Sequence, residues 1–141
     1  MDLLEAMFTR QREFQDRLTA EKGRPDFGAI KIPDFGTPDG VSMHLINQLV
    51  DENATALIME AAELKDWLPW KHWSEKSGNK QINKEDLFDN EHIDEMRIEV
   101  VDLFCFLLNC AMALGMTPDS INQYHLKKVG TNHARQDTGS Y

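Results

Sequence analysis

Positive charge, cysteine and long apolar runs are all scarce in this sequence. Its 15 Lys and Arg stand against 24 Asp and Glu, giving a net charge of −9. Nucleic acids and membrane surfaces are themselves negative, so this balance argues against a general binder of either. A small anionic ligand held through a metal ion stays compatible with it. No stretch approaches the roughly 20 consecutive apolar residues that a membrane span requires. The opening residues, Met1-Asp2-Leu3-Leu4-Glu5, are acidic and lack the basic start of a signal peptide. The two cysteines, Cys105 and Cys110, stand five residues apart in one apolar stretch, so on a helix they point to different faces. They read as reduced core residues of a cytoplasmic protein.

Glycine and proline are few, and they gather between Gly23 and Ser42: Gly23, Pro25, Gly28, Pro33, Gly36, Pro38 and Gly40. That stretch is expected to be irregular. A loop of such length in a compact domain is usually functional or mobile. Phe27, Ile30, Ile32 and Phe35 within it suggest that it packs over something. The length of 141 residues predicts a single domain, 1–141.

Elsewhere apolar residues recur at helical spacing. Leu3, Leu4, Met7, Phe14 and Leu18 mark a first helix over about 2–21, with Gln11 and Gln15 sharing a face beside the stripe. Taken alone, that glutamine pair reads as a solvated edge. A second helix is expected from Ser42, as its N-cap, to Trp67, with Pro69 ending it. Trp67, Trp70 and Trp73 then surround Lys71 and His72, either packing a helix end or lining a pocket. The polar stretch 74–90 predicts a surface loop with a short helical turn near 84–88. A third helix runs from about Asn90 to Leu114 and is closed by Gly115. A fourth opens at Thr117-Pro118 and runs to about Gly130. The remainder, about 130–141, reads as a flexible basic tail, suited to phosphate contacts or simply to solubility. The fold class is all-α, a compact four-helix core.

The chemistry sits in two acid pairs. Glu60-Ala-Ala-Glu63 and Glu99-Val-Val-Asp102 each lie in an apolar run. Carboxylates three residues apart share a helix face, with Cβ atoms about 5–6 Å from each other. Unpaired burial of such like charges is costly, and a divalent cation between two helices resolves both the repulsion and the burial. An oxygen-only donor set suits Mg²⁺, with Mn²⁺ as a substitute, better than zinc or copper. A di-iron bundle takes Glu-x-x-His from each of two helices, and no Glu-x-x-His occurs here. The bland alternative is that these acids face solvent or pair with basic residues, which fits one such pair better than two. A magnesium site of this kind clamps a polyphosphate and activates water, so the residues point to Mg²⁺-dependent hydrolysis of a phosphoanhydride.

At these residues the chain resembles the all-α nucleoside triphosphate pyrophosphatases. The stretches that carry the likeness are Met59-Glu60-Ala-Ala-Glu63-Leu64, Trp70-Lys71-His72-Trp73 and Arg97-Ile98-Glu99-Val100-Val101-Asp102. Within that group it is most similar to the dimeric dUTPases rather than to the MazG type, which carries a further Glu where Met59 stands. The ending, Lys128 through Asn132 to Arg135-Gln136 and Gly139, is similar to the dUTPase C-terminal signature, with the aromatic Tyr141 displaced by one position. The resemblance implies that Glu60, Glu63, Glu99 and Asp102 are catalytic Mg²⁺ ligands, with Glu60 acting on the attacking water. It implies dUTP as substrate, and dUMP and diphosphate as products. Lys71, Lys128 and Arg135 would contact phosphates, and Asn132 would lie near the nucleotide. Gln11 and Gln15 would read the base, with Gln15 standing where the family has Asn. That departure motivates a broader MazG-like (d)NTP pyrophosphatase, acting on dCTP or non-standard nucleotides, as the alternative. A non-enzymatic helical module whose acids bind metal for stability is the alternative outside catalysis. A thin bundle exposes apolar faces on several helices, so a homodimer or a dimer of dimers is expected.

Overall fold

Helix starts in this chain are set by side chains that accept the first free backbone N–H groups. Asp2, Asp39, Asp89 and Thr117 accept from the N–H of Glu5, Ser42, His92 and Ser120. The computed structural model describes residues 2–140, so Tyr141 lies outside it. It contains α1 (Leu3–Lys22), α2 (Gly40–Trp67), α3 (Asn90–Ala113) and α4 (Pro118–Thr138). Single 3₁₀ turns occur at Phe27–Ala29 and Lys84–Asp86, and there is no strand among the described residues. No single helix among them is long and apolar enough to cross a membrane.

Two helix boundaries differ from the sequence expectation. Asp39, not Ser42, caps α2, and its carboxyl is held below the usual carboxylate range chiefly by the Ser42 backbone N–H. Ser42 is instead fully buried in the first turn, where its hydroxyl accepts from the Lys31 N–H at 2.8 Å. It thereby ties the glycine- and proline-rich loop to α2. The fourth helix does not end at Gly130 but continues to Thr138, so positions 130–138 are helical. Gly130 keeps ordinary helical φ, whereas Gly139 adopts φ 68° and closes the helix onto the Arg135 and Gln136 carbonyls.

Helices α2 and α3 run antiparallel and form the main packing pair. One inward stripe of each can be followed along the pair. At one end Leu49 meets Met112 and Ala113, together with Phe27 from the loop. Next Asn53 faces Asn109. Then Glu60 meets Glu99 and Asp102. At the far end Trp67 is buried against His92, with ring centroids 5.8 Å apart. The main apolar cluster thus sits at one end of the helix pair, polar groups occupy its middle, and Trp67 is buried at the other end. The loop's Phe27 belongs to that core and Ile30 packs against it, whereas Ile32 and Phe35 are exposed.

Two further expectations are corrected. The stretch 74–90 is not simply surface, because Ser77 and Leu87 are fully buried. Gly78 there lies against the Trp70 indole so closely that a Cβ would stand 2.3 Å from Nε1. Along α3, Ile98, Val101, Phe104 and Leu107 are about half exposed. Cys105 and Cys110 are free and partly buried rather than in the core, and burial pushes both thiols up.

Candidate active site

The site forms where two helical stripes cross. On α2, Asn53, Ala56 and Glu60 succeed one another at three- and four-residue steps, and on α3 Glu99, Asp102, Phe106 and Asn109 do the same. That spacing keeps each set on one helix face. Because the helices are antiparallel, the acids meet acids and the amides meet amides.

Oxygens of Glu60, Glu99 and Asp102 all lie within 4.8 Å of one another. Glu63, the fourth expected acid, is exposed and stands outside that cluster. Its charge is still felt: partial burial raises the Glu60 carboxyl above its ordinary value, and then the charges of Glu63, Asp102 and Glu99 raise it further. Glu99 Oε2 is buried and has no hydrogen-bond partner. A buried carboxylate oxygen without a partner, surrounded by like charge, is unfavourable. A hard divalent cation bound by these three oxygens would supply the missing partner, so the residues present fit Mg²⁺.

Beside the acids lies a pocket of about 200 Å³ lined by Gln15, Phe27, Asn53, Ala56, Phe106 and Asn109, among others. Its amides form a chain. Gln11 Nε2 donates to Asn109 Oδ1 at 2.9 Å, Asn109 Nδ2 donates to Asn53 Oδ1 at 2.9 Å, and Asn53 Nδ2 donates to the Leu49 carbonyl at 2.7 Å. Gln11 and Gln15 are therefore partly buried residues facing the core pair, not a solvated edge. Asn53 and Asn109 were not singled out from the sequence. The available signal for Asn109 was a lone amide inside an apolar run; Asn53, which follows Asp51-Glu52, offered none. A larger cavity of about 760 Å³ lies under the 27–39 loop and includes no member of the acid cluster.

The remaining expected residues lie apart. Lys71 follows the end of α2, with its ammonium 5.1 Å from the Trp70 ring centroid. Lys65 and Lys80 lie over Trp70 and Trp67 in the same way. Lys128 and Arg135 are exposed and Asn132 is half-buried on α4. The chain turns by 102° between α3 and α4, so helix rise alone puts Lys128 and Arg135 on the order of 20 Å or more from Asp102. One chain therefore does not bring its own α4 cations to its acids.

An all-helical fold in which two antiparallel helices present a cluster of carboxylates is consistent with an all-α nucleoside triphosphate pyrophosphatase, and the family match shows that class. More narrowly, the chain belongs to the dUTPase family, whose family model matches residues 3–114. That span holds the acids and the amide pocket and stops short of α4. Among relatives, the dCTP pyrophosphatase of Enterobacteria phage LZ5 is 30 % identical over 148 residues, covering 99 % of this chain and 83 % of the relative. The dCTP pyrophosphatase of Enterobacteria phage T4 is 34 % identical over 70 residues, covering 50 % of this chain and 41 % of the relative. No solved structure matches. The protein is thus a nucleotide pyrophosphohydrolase acting on a small-molecule nucleotide.

Proposed function

We propose that this protein hydrolyses a deoxypyrimidine triphosphate, dCTP or dUTP, in a Mg²⁺-dependent reaction that releases the monophosphate and diphosphate. The observation that carries the reading is the three-acid cluster with its orphaned Glu99 oxygen, set two helical turns from an amide-lined pocket. Bound there, Mg²⁺ would neutralise phosphate charge and make water a better nucleophile. Glu60, Glu99 and Asp102 would hold the ion, and Glu63 adds negative charge from the next turn. Glu60 would take a proton from the attacking water. Water adds across the α–β anhydride: its oxygen forms a new P–O bond as the bridging P–O bond breaks, giving the monophosphate and diphosphate.

Phe27 and Phe106 offer apolar walls for a pyrimidine ring, and the amides offer donors and acceptors for its edge. The family description favours dUTP, while the names of the phage relatives favour dCTP. Lys71, just after α2, would contact phosphate from its own chain. The α4 residues Lys128, Asn132 and Arg135 would serve the site of a second copy, in a homodimer or dimer of dimers. Their distance from their own acids and the exposed apolar stripe of α3 support this arrangement. The test is diphosphate release from dUTP, dCTP, dTTP, dATP, dGTP and UTP, with Mg²⁺ and with EDTA. Release confined to dCTP and dUTP, and lost in EDTA, is expected. Release from purine nucleotides at equal rates, or undiminished in EDTA, would overturn the reading.

A further inference from the structure

One carboxylate holds the tryptophan-rich end of α2 together. Asp66, half-buried in the last turn of the helix, spends both oxygens on neutral donors. Its Oδ1 accepts from the Trp70 indole Nε1 at 3.1 Å, and its Oδ2 accepts from Asn79 Nδ2 at 2.9 Å. The Leu68 carbonyl repeats the tie in the backbone, accepting from the Trp70 and Gly78 N–H groups at 2.9 and 3.0 Å. Gly78 is buried against the indole, which leaves no room for a Cβ. These contacts fix the plane of the Trp70 ring, although the residue is 40 % exposed. The indole is thus oriented without filling the core.

What it carries is positive charge. The ammonium groups of Lys71 and Lys65 lie 5.1 and 5.8 Å from its ring centroid, within the range of cation–π attraction. Neither lysine has an ion-pair partner among the described residues, in a chain of net charge −9. Asp66, the sequence neighbour of Lys65, is committed to Trp70 and Asn79. Two cations gathered on one ring repel each other, so an anion beside them would be stabilised. Placement points to which anion. Trp67 stands seven residues from Glu60 on the same face of α2, roughly 10 Å along the helix axis. It lies on the side of the acids away from Asn53. A nucleotide with its reacting phosphate at the acids and its nucleoside toward the amide pocket extends its outer phosphates toward this end.

We propose that Asp66 is a positioning residue for phosphate recognition: by fixing the Trp70 indole it seats Lys71 to meet the outer two phosphates, which leave as diphosphate. The proposal rests on the reading above, in which Lys71 contacts phosphate, and adds the residues that place Lys71. Asp66 itself touches no substrate and acts through Trp70.

The experiment is titration calorimetry of the intact protein with inorganic diphosphate and with dCMP in Mg²⁺, together with KM and kcat for dCTP and dUTP. Lys71→Ala should weaken diphosphate binding roughly tenfold or more, the worth of a charge-assisted hydrogen bond. Asp66→Ala releases the indole and should weaken diphosphate binding about threefold to tenfold, with dCMP binding little changed. Trp70→Phe keeps a ring but removes the Nε1 donor, and should match Asp66→Ala; it carries the test if Asp66→Ala fails to fold. Asp66→Asn still accepts from Trp70 through Oδ1, while the exposed Asn79 turns its own oxygen to the new amide, and should keep the natural affinity. Because Asp66 acts through Lys71, adding Asp66→Ala to Lys71→Ala should cost nothing further. In each weakened variant KM should rise more than kcat falls, the pattern of a contact made in substrate and transition state alike. A full further loss in the double variant would overturn the proposal, since Asp66 would then act on the fold and not on Lys71. So would diphosphate binding unchanged in both Asp66→Ala and Trp70→Phe, or a loss in Asp66→Asn as large as in Asp66→Ala. Diphosphate binding weakened as expected, without turnover of any nucleotide, would uphold the platform while defeating the proposed reaction. Turnover of dCTP or dUTP with diphosphate binding unmoved by these substitutions would do the reverse.

Discussion

At the scale of single residues, the proposed chemistry rests on three clustered carboxylates. A like-charged cluster with one oxygen buried and unpartnered is a liability to the metal-free fold. Glu99→Gln keeps the shape, removes one charge and leaves an amide that is a poor ligand for a hard cation. Turnover should fall by more than the roughly 100-fold that loss of even an outer-sphere partner costs. In EDTA the same variant should melt no lower than the natural protein, because a repelling charge has gone. Diphosphate release and a thermal melt followed by circular dichroism check the two halves. Wild-type turnover would remove Glu99 from the catalytic set. The four acids were legible in the sequence, since two Glu-x-x-acid pairs in apolar runs are hard to explain otherwise. That Glu63 stands apart from the other three was not legible, because helical spacing gives a face but not the rotation of that face against its neighbour. Asn53 and Asn109 escaped notice for a related reason: an amide declares its role only through the partner it meets, and theirs lie 56 residues apart.

At the scale of elements, caps explain where helices begin and why one boundary was misjudged. Ser42 and Asp39 are both good caps, and the choice between them was made by tertiary contact, because the Ser42 hydroxyl is used by Lys31. Gly130 looked like a terminator and is not one. A glycine closes a helix only when its φ turns positive, as at Gly139. Inside α4 it only weakens the helix, and nothing lies within 4 Å of the position a Cβ would take. Gly130→Ala should therefore stabilise the protein by about 0.5–1 kcal/mol. An increase in the midpoint of thermal or urea unfolding checks it, and a decrease would mean that α4 is not continuous through this position.

At the scale of the whole molecule, apolar surface is left over. Ile98, Val101, Phe104 and Leu107 line one side of α3 at about half exposure, opposite the acids' partner helix. A second copy would cover that stripe and bring its α4 cations to a site they cannot reach in their own chain. Ile98→Glu combined with Val101→Glu should yield a monomer by light scattering at micromolar concentration, with turnover reduced at least about tenfold if two well-placed phosphate contacts are lost. A variant that stays associated and fully active would place the interface elsewhere. Added Mg²⁺ should raise the melting temperature of the natural protein, since a ligand at 100 times its Kd stabilises by about 2.7 kcal/mol.

Local chemistry alone carried the helix count, the all-α class and the acid pairs, because each depends on residues within one or two turns of one another. It also carried the glycine at the end of α3, Gly115, and the Thr117 cap of α4. Contacts between distant segments decided the rest. The rotation of α2 against α3 selected three acids from four and set Asn53 on Asn109. The turn between α3 and α4 carried the basic residues away from their own acids. These outcomes depend on how helices pack, and packing is set by the fit of whole surfaces rather than by the period of any one stretch.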